Sequence, residues 1–196
     1  MNAHTHRTEA ARIGPNAVIQ LGETLRAHGE IALARRIYQA AGHLDWLSEP
    51  PAAMTPQAEV AALHAALQQL APASAAQAYA AEAGERTGEY LLTHRIPRVA
   101  RLILRVLPRR PAARLLLKAI ERHAWTFAGS GRFVVDPATY SFSIEHNPLA
   151  REGGCVWHEA VFTRLFQRLV SPGIVVRETE CCADGAAACR FEIVWH

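Results

Sequence analysis

The sequence predicts an α+β fold in which helices pack on a small antiparallel sheet. Two observations predict it: the first two-thirds of the chain carries helical periodicity, and the last third changes to short β-type runs around one helix. Helices followed by a block of strands are typical of α+β proteins. We therefore expect a single domain over residues 1–196, with a mainly helical portion over 1–126 and a β-β-α-β-β portion over 127–196.

Apolar stripes and boundary residues predict six helices in the helical portion. Thr55 and Pro56 are typical of a helix start, with a side-chain cap followed by proline at the first helical position. Pro108 and Pro111 bracket a predicted turn, so the last of these helices is expected to begin at Ala112. The predicted helices cover approximately 15–29, 31–41, 56–70, 72–94, 98–107 and 112–125.

Four strands and one helix are predicted after the turn at Gly129-Ser130-Gly131. The strands are expected over 132–135, 140–144, 174–182 and 189–195. The helix is expected over about 155–170, with Trp157, Val161 and Leu165 on its core face.

The composition is that of a folded protein that remains in the cytoplasm. Half of the residues are hydrophobic and 20% are charged. Residues 1–12 are polar and do not resemble a signal peptide, and no apolar run approaches the roughly 20 residues of a membrane span. Thiols stay reduced in the cytoplasm, so the four cysteines indicate metal binding or chemistry rather than disulfides.

Basic residues are concentrated between Arg95 and Arg122. Nine arginines and lysines stand there against a single acid, Glu121. The simplest interpretation is a solvated helix face; the alternatives are a surface for anionic lipid, an acidic protein partner or a carboxylate-bearing ligand. Nucleic acid is not expected as a partner, because the run contains no recognised motif and little aromatic interleaving.

The cysteines cluster near the C-terminus and indicate a metal site. If Gly185 lies at the centre of the last hairpin, Cys181 faces Cys189 and Glu180 faces Arg190, with Cβ atoms about 5 Å apart in each pair. Two such thiolates suit one tetrahedral ion, and zinc fits best because the site is rich in sulfur and needs no redox change. Inert buried thiols and a redox thiol pair are the alternatives.

The remaining two ligands are less defined by spacing alone. Cys155, at the start of the preceding helix, is the best third ligand, and Glu178, Glu180 or His158 is the fourth. On a regular strand Glu178 points away from Cys181, so it joins the site only if the strand is bulged or already turning there.

Several segments resemble a known family. The motif Glu178-x-x-Cys181-x-x-x-Gly185-x-x-x-Cys189-Arg190-Phe191, with Cys155 upstream, resembles the 4-vinyl-reductase small-ligand-binding domain. The segments RIGPN (12–16), YLLTHRIP (90–97) and HAWTFAGSG (123–131) are similar to the bacteriochlorophyll 4-vinyl reductase family. The resemblance spans nearly the whole chain.

The resemblance implies a fold, an assembly and a ligand set. The implied fold is that of the transport-particle subunits of vesicle tethering, usually seen as a homodimer. The implied zinc ligands are the residues Cys155, Glu178, Cys181 and Cys189. Cys182 is additional to the motif and competes as a ligand.

The resemblance also implies a place in bacteriochlorophyll biosynthesis, at reduction of the 8-vinyl group of a divinyl (proto)chlorophyllide. Hydride transfer requires a nicotinamide, a flavin or an iron–sulfur relay. Gly129-Ser130-Gly131 follows a helix and lacks a third glycine, so it is not a dinucleotide-binding turn. We therefore expect a tetrapyrrole-binding accessory or carrier protein with a structural zinc; the alternative is the divinyl chlorophyllide 8-vinyl reductase itself.

A tetrapyrrole needs an apolar pocket with a few placed polar groups. Aromatic rings are its expected walls, arginines its carboxylate partners and a histidine the ligand of its magnesium. The residues expected to contact it are Arg98, Arg101, His123, Trp125, Phe127 and Trp157. Other pathway enzymes and the surface of the photosynthetic membrane are expected partners.

Overall fold

The described residues of the computed structural model, 11–196, form eight helices and six strands with two short 3₁₀ turns. The helices are α1 (Asn16–Ala27), α2 (Ile31–Ala40), α3 (Gln57–Leu70), α4 (Ala73–His94), α5 (Arg98–Val106), α6 (Arg109–Arg122), α7 (Trp125–Ala128) and α8 (Val156–Leu169). The strands are β1 (Arg12–Ile13), β2 (Thr55–Pro56), β3 (Arg132–Asp136), β4 (Ser141–Glu145), β5 (Val175–Glu180) and β6 (Ala188–Val194).

The four C-terminal strands form one antiparallel sheet in the order β3-β4-β6-β5. The chain leaves the sheet after β4, forms α8 and returns as β5, so the predicted β-β-α-β-β order and α+β class are confirmed. Phe162 of α8 packs against Phe142 of β4 and Phe191 of β6, with ring centroids 4.8 and 5.9 Å away. This aromatic layer joins α8 to the two inner strands.

The long helix α4 covers α8 at very short range because two glycines face it. A Cβ atom built on Gly84 would lie 2.8 Å from Cβ of Ala160, and one built on Gly88 would lie 2.8 Å from Cβ of Arg164. Real Cβ atoms do not approach so closely, so a side chain at either position would force the helices apart. One continuous hydrophobic core, formed by both portions of the chain, results from this packing.

Two helix starts differ from the sequence prediction. Thr55 and Pro56 pair with Ile13 and Arg12 as a short two-stranded sheet, so α3 begins one residue later than predicted and Thr55 makes no capping hydrogen bond. Helix α6 begins at Arg109 rather than Ala112. Pro111 is accommodated because it lies in the first turn, where its missing N–H would have no helical partner.

None of the helices described between residues 11 and 196 combines the length and the apolar character needed to cross a bilayer. Residues 1–10, which hold most of the polar N-terminal stretch, lie outside the described part of the chain.

Candidate metal centre

Four side chains from separate parts of the chain meet at one end of α8. Cys155 is the N-cap residue of the helix, Glu178 lies in β5, Cys181 follows that strand and Cys189 lies in β6. One ligand atom from each residue lies within 4.8 Å of every other. The three cysteines are buried and Glu178 is half-buried. The fold therefore brings together the four residues implied by the family resemblance.

The spacing of the three sulfur atoms suits a shared metal ion. Sγ of Cys189 lies 3.4 Å from that of Cys155 and 3.8 Å from that of Cys181, and the Cys155–Cys181 distance is 3.9 Å. Ligands about 2.3 Å from a tetrahedral zinc stand about 3.8 Å apart. Sulfurs in a disulfide are only about 2.05 Å apart. The cysteines are therefore arranged as ligands around one point rather than as a bonded pair.

An irregularity in β5 allows Glu178 to reach this point. Glu180 pairs with Arg190, as the sequence predicts, but Glu178 pairs with Phe191 because the register shifts between the two glutamates. A bulge of this kind re-aims the side chain beside it. The condition that the sequence set for Glu178 to join the site is thus met.

The carboxylate of Glu178 has one bonded and one free oxygen. Its Oε2 accepts a hydrogen bond from the backbone N–H of Cys155, whereas Oε1 is buried and has no partner within residues 11–196. Burial raises the pKa of Glu178 to about 7. An orphaned buried oxygen is costly, and a bound cation would both satisfy it and stabilise its charge.

The thiol hydrogen bonds converge on Cys189. Its sulfur lies 3.4 Å from the sulfur of Cys155 and 3.3 Å from that of Cys182, and Asn147 Nδ2 donates to it at 3.5 Å. These bonds lower the pKa of Cys189, and the bond from Cys155 contributes most. In return, the hydrogen bond to Cys189 and then burial raise the pKa of Cys155. A divalent cation would replace the shared protons and hold all three sulfurs as thiolates.

The other candidate ligands lie outside the group of four. Glu180 is exposed, and its Oε2 accepts from Nε of Arg190 at 3.4 Å. The buried ring of His158 packs among aromatic side chains, including Phe127 and Phe162. Cys182 is partly exposed and approaches only Cys189 of the four.

Three supporting residues were not predicted from the sequence. Asn147 Nδ2 donates to Sγ of both Cys155, at 3.3 Å, and Cys189. Gly154 has φ +103°, and a Cβ atom there would lie 3.1 Å from Oε2 of Glu178. Glu159 Oε1 accepts the backbone N–H of Glu178. The Asn147-Pro148 and Gly153-Gly154 pairs signal turns in the sequence, but nothing in it indicates that they support a metal site.

Comparison with known proteins agrees with this arrangement. A family model of the 4-vinyl-reductase domain matches residues 141–194, which run from β4 to β6 and contain all four cluster residues. The bacteriochlorophyll synthase 23 kDa chain of Cereibacter sphaeroides is 45% identical over 205 residues, covering 99% of this chain and 98% of the relative. The protein of the same name from Rhodobacter capsulatus is 41% identical over 185 residues, covering 92% and 85%.

The chain belongs to the bacteriochlorophyll synthase 23 kDa chain family. The resemblance of the cysteine motif to the 4-vinyl-reductase domain is thereby confirmed. Within this family member, the four-residue cluster lies at the junction of the helical portion and the 4-vinyl-reductase domain, because α4 packs along α8.

A small cavity of about 40 Å³ adjoins the cluster in this 23 kDa chain homologue, between α3, α4 and the start of α8. It holds a few waters but not a tetrapyrrole. His64, Trp157 and His158 line it, and neither Nε1 of Trp157 nor Nε2 of His158 has a partner within residues 11–196. Burial lowers the pKa of His64 to about 4 and that of His158 to about 3, so both rings are neutral at pH 7.

The six residues expected to contact a tetrapyrrole do not line one pocket. Trp157 lines the small cavity and the other five lie outside its lining. Phe127 packs in the aromatic core, with its ring centroid 5.5 Å from that of Phe133. The remaining four lie at or near the surface, on α5 to α7, and Trp125 is 60% exposed; they are Arg98, Arg101, His123 and Trp125.

Proposed function

We propose that this protein is a tetrapyrrole-binding accessory protein of bacteriochlorophyll biosynthesis with a structural zinc ion. The observation that carries the proposal is the likeness, over nearly the full length of both chains, to the 23 kDa chain of bacteriochlorophyll synthase from Cereibacter sphaeroides. A subunit named for that pathway is expected to meet magnesium-containing tetrapyrroles or the enzymes that handle them. The match to the 4-vinyl-reductase domain supports the same interpretation.

The zinc is proposed to be held by Cys155, Glu178, Cys181 and Cys189. A set of three thiolates and one carboxylate favours zinc over harder cations such as magnesium. Four protein ligands close the coordination shell, so the ion would have no open position for a substrate. Its role would be to tie the start of α8 to β5 and β6.

The proposed role is carriage of the pigment at the stage of 8-vinyl reduction. A closed zinc site supplies neither a hydride nor an electron, so reduction would depend on a partner enzyme. The protein would bind a divinyl (proto)chlorophyllide, shield its apolar ring and release it to that enzyme, acting as a homodimer.

Four surface residues are the proposed pigment contacts. His123 would ligate the central magnesium and Trp125 would stack on the ring, because both are exposed around the α6–α7 junction. Arg98 and Arg101 would bind the propionate through their paired guanidinium N–H groups. Phe127 and Trp157 could reach the ring only after the surrounding helices separate, since both contribute to the core.

Titration of the purified protein with divinyl chlorophyllide tests this function. We expect a saturable shift of the pigment absorbance and no conversion to the monovinyl form when NADPH is added. The double variant His123→Ala/Trp125→Ala should weaken binding about tenfold, whereas His43→Ala/Trp46→Ala should not, because that His–Trp pair stacks on itself far along the chain. Conversion by the protein alone would establish the reductase instead, and absence of pigment binding would refute carriage.

A further inference from the structure

Helix α5 presents a row of apolar side chains to solvent. Val99, Leu102 and Val106 are 68%, 62% and 72% exposed, and Ile103 is 45% exposed. At 100° per residue these four side chains fall within an arc of about 100°. Leu104, on another side of the helix, is buried and attaches α5 to the body of the protein.

Arginines border this apolar row along one side. Arg98, Arg101 and Arg105 follow one another on the helix surface next to Leu102. Within residues 11–196, no carboxylate lies within 4 Å of any of the three; Arg105 donates only to the backbone oxygen of Arg168, at 3.2 Å. The sequence from 95 to 118 contains no acidic residue at all. The positive charge beside the apolar row is therefore uncompensated.

We infer that α5 docks the protein onto the surface of an anionic lipid bilayer. An exposed apolar row beside a strip of cations matches the two layers of such a surface, acyl chains below and phosphate headgroups above. A second copy of the chain fits less well, because it would bring the same uncompensated arginines to the contact. A soluble carboxylate ligand would engage the arginines but would leave the apolar row in water.

The geometry of α5 suits a helix lying flat on the membrane. Its nine residues span about 14 Å, far too short to cross a bilayer. Pro97 precedes the helix and Pro108 follows its C-terminal residue Leu107, so α5 is a separate straight segment. Further arginines at both ends would meet headgroups on either side of the buried row; they are Arg95, Arg109 and Arg110.

Sedimentation with lipid vesicles, without pigment, tests this inference. The full chain should bind vesicles of mixed phosphatidylcholine and phosphatidylglycerol, bind pure phosphatidylcholine much more weakly, and be released as salt rises above about 0.3 M. The variant Arg98→Gln/Arg101→Gln/Arg105→Gln should bind about 100-fold more weakly, at about fivefold for each charge. The variant Val99→Asn/Leu102→Asn/Val106→Asn should also lose at least tenfold.

Matched controls carry the same substitutions on other surfaces. Arg35→Gln/Arg36→Gln/Arg177→Gln removes three exposed arginines, and Ile31→Asn removes an apolar side chain that is 50% exposed. Both should bind vesicles like the parent. Equal binding to phosphatidylcholine, or unchanged binding by the α5 variants, would overturn the inference. Loss of a dimer in the apolar variant, with no vesicle binding by the parent, would assign the face to a second copy.

Discussion

The sulfur atoms of Cys155 and Cys189 lie 3.4 Å apart, although the two residues are 34 positions apart in the chain. Cys155 is the N-cap residue of α8, and Cys189 belongs to β6, an inner strand of the sheet. The contact therefore joins the start of the central helix to the middle of the sheet. A metal ion at this point would fix the two layers of the 4-vinyl-reductase domain relative to each other.

Cys189→Ser is expected to remove the bound metal and lower the melting temperature by roughly 10 °C. Loss of a structural metal is among the few changes that cost about 4 kcal/mol, and each kcal/mol is worth about 2–4 °C in a chain of this size. Metal analysis and thermal unfolding measure both effects. Cys182→Ser is the matched control and should keep its metal, because Cys182 lies outside the group of four. Loss of metal in the control alone would show that Cys182 is the true ligand.

Glu178→Gln should lower metal affinity by at least tenfold while the fold persists. The amide retains an oxygen near the Cys155 N–H but loses the negative charge that the cation would neutralise. Competition with a chelator measures the affinity. Glu180→Gln should bind metal like the parent, because its exposed ion pair with Arg190 stabilises the fold by less than about 1 kcal/mol. Equal affinities for the two variants would exclude Glu178 as a ligand.

Asn147→Ala should weaken metal binding by about 10- to 100-fold without abolishing it. The substitution removes the N–H donor to the sulfurs of Cys155 and Cys189, and supporting hydrogen bonds of this kind tune ligand basicity. Asn147→Asp should have a larger effect, since it places a negative charge beside the thiolates while keeping the oxygen that accepts from Leu149 N–H. Parent-like affinity in both variants would show that Asn147 shapes the turn alone.

His64 should make the protein less stable in acid. Burial lowers its pKa from 6.5 to about 4, against the weaker effect of its bond to the oxygen of Ala17, with Arg151 and His158 as the charged or titratable neighbours. Below pH 6.5 the unfolded chain binds a proton that the folded chain refuses. About 3 kcal/mol, present above pH 6.5, is therefore lost as the pH falls to 4.

The test compares the parent with His64→Leu by urea unfolding across this range. The variant should be less stable at neutral pH, because it loses the bond to Ala17, but its stability should fall less steeply in acid. The metal ligands titrate in both proteins, so the difference between the two slopes reports His64. Parallel slopes would contradict the assignment.

The hairpin at the metal centre was predictable because its geometry is local. Strand pairing around Gly185 places Glu180 opposite Arg190 and Cys181 near Cys189, and the structure has both. The bulge that brings Glu178 into the cluster was not predictable, since strict alternation directs that side chain to the other face. Asn147 was missed for a related reason: its contacts with Cys155 and Cys189 depend on how two distant loops pack.

The helical portion shows the same division between local and distant effects. Apolar periodicity located every helix from α1 to α6, and only the starts at Gln57 and Arg109 differ from expectation. Thr55 pairs with Ile13, a contact across 42 positions, and this pairing overrides its local preference as a cap. The expected pigment contacts depend on a pocket formed between elements, for which local patterns carry no information.

X-ray absorption at the zinc edge, recorded before and after addition of divinyl chlorophyllide, tests the account most directly. The account predicts one zinc per chain with three sulfurs at about 2.3 Å and one oxygen at about 2.0–2.2 Å, unchanged by the pigment. Iron in place of zinc, fewer than three sulfur ligands, or a ligand exchanged on pigment addition would contradict a closed structural site.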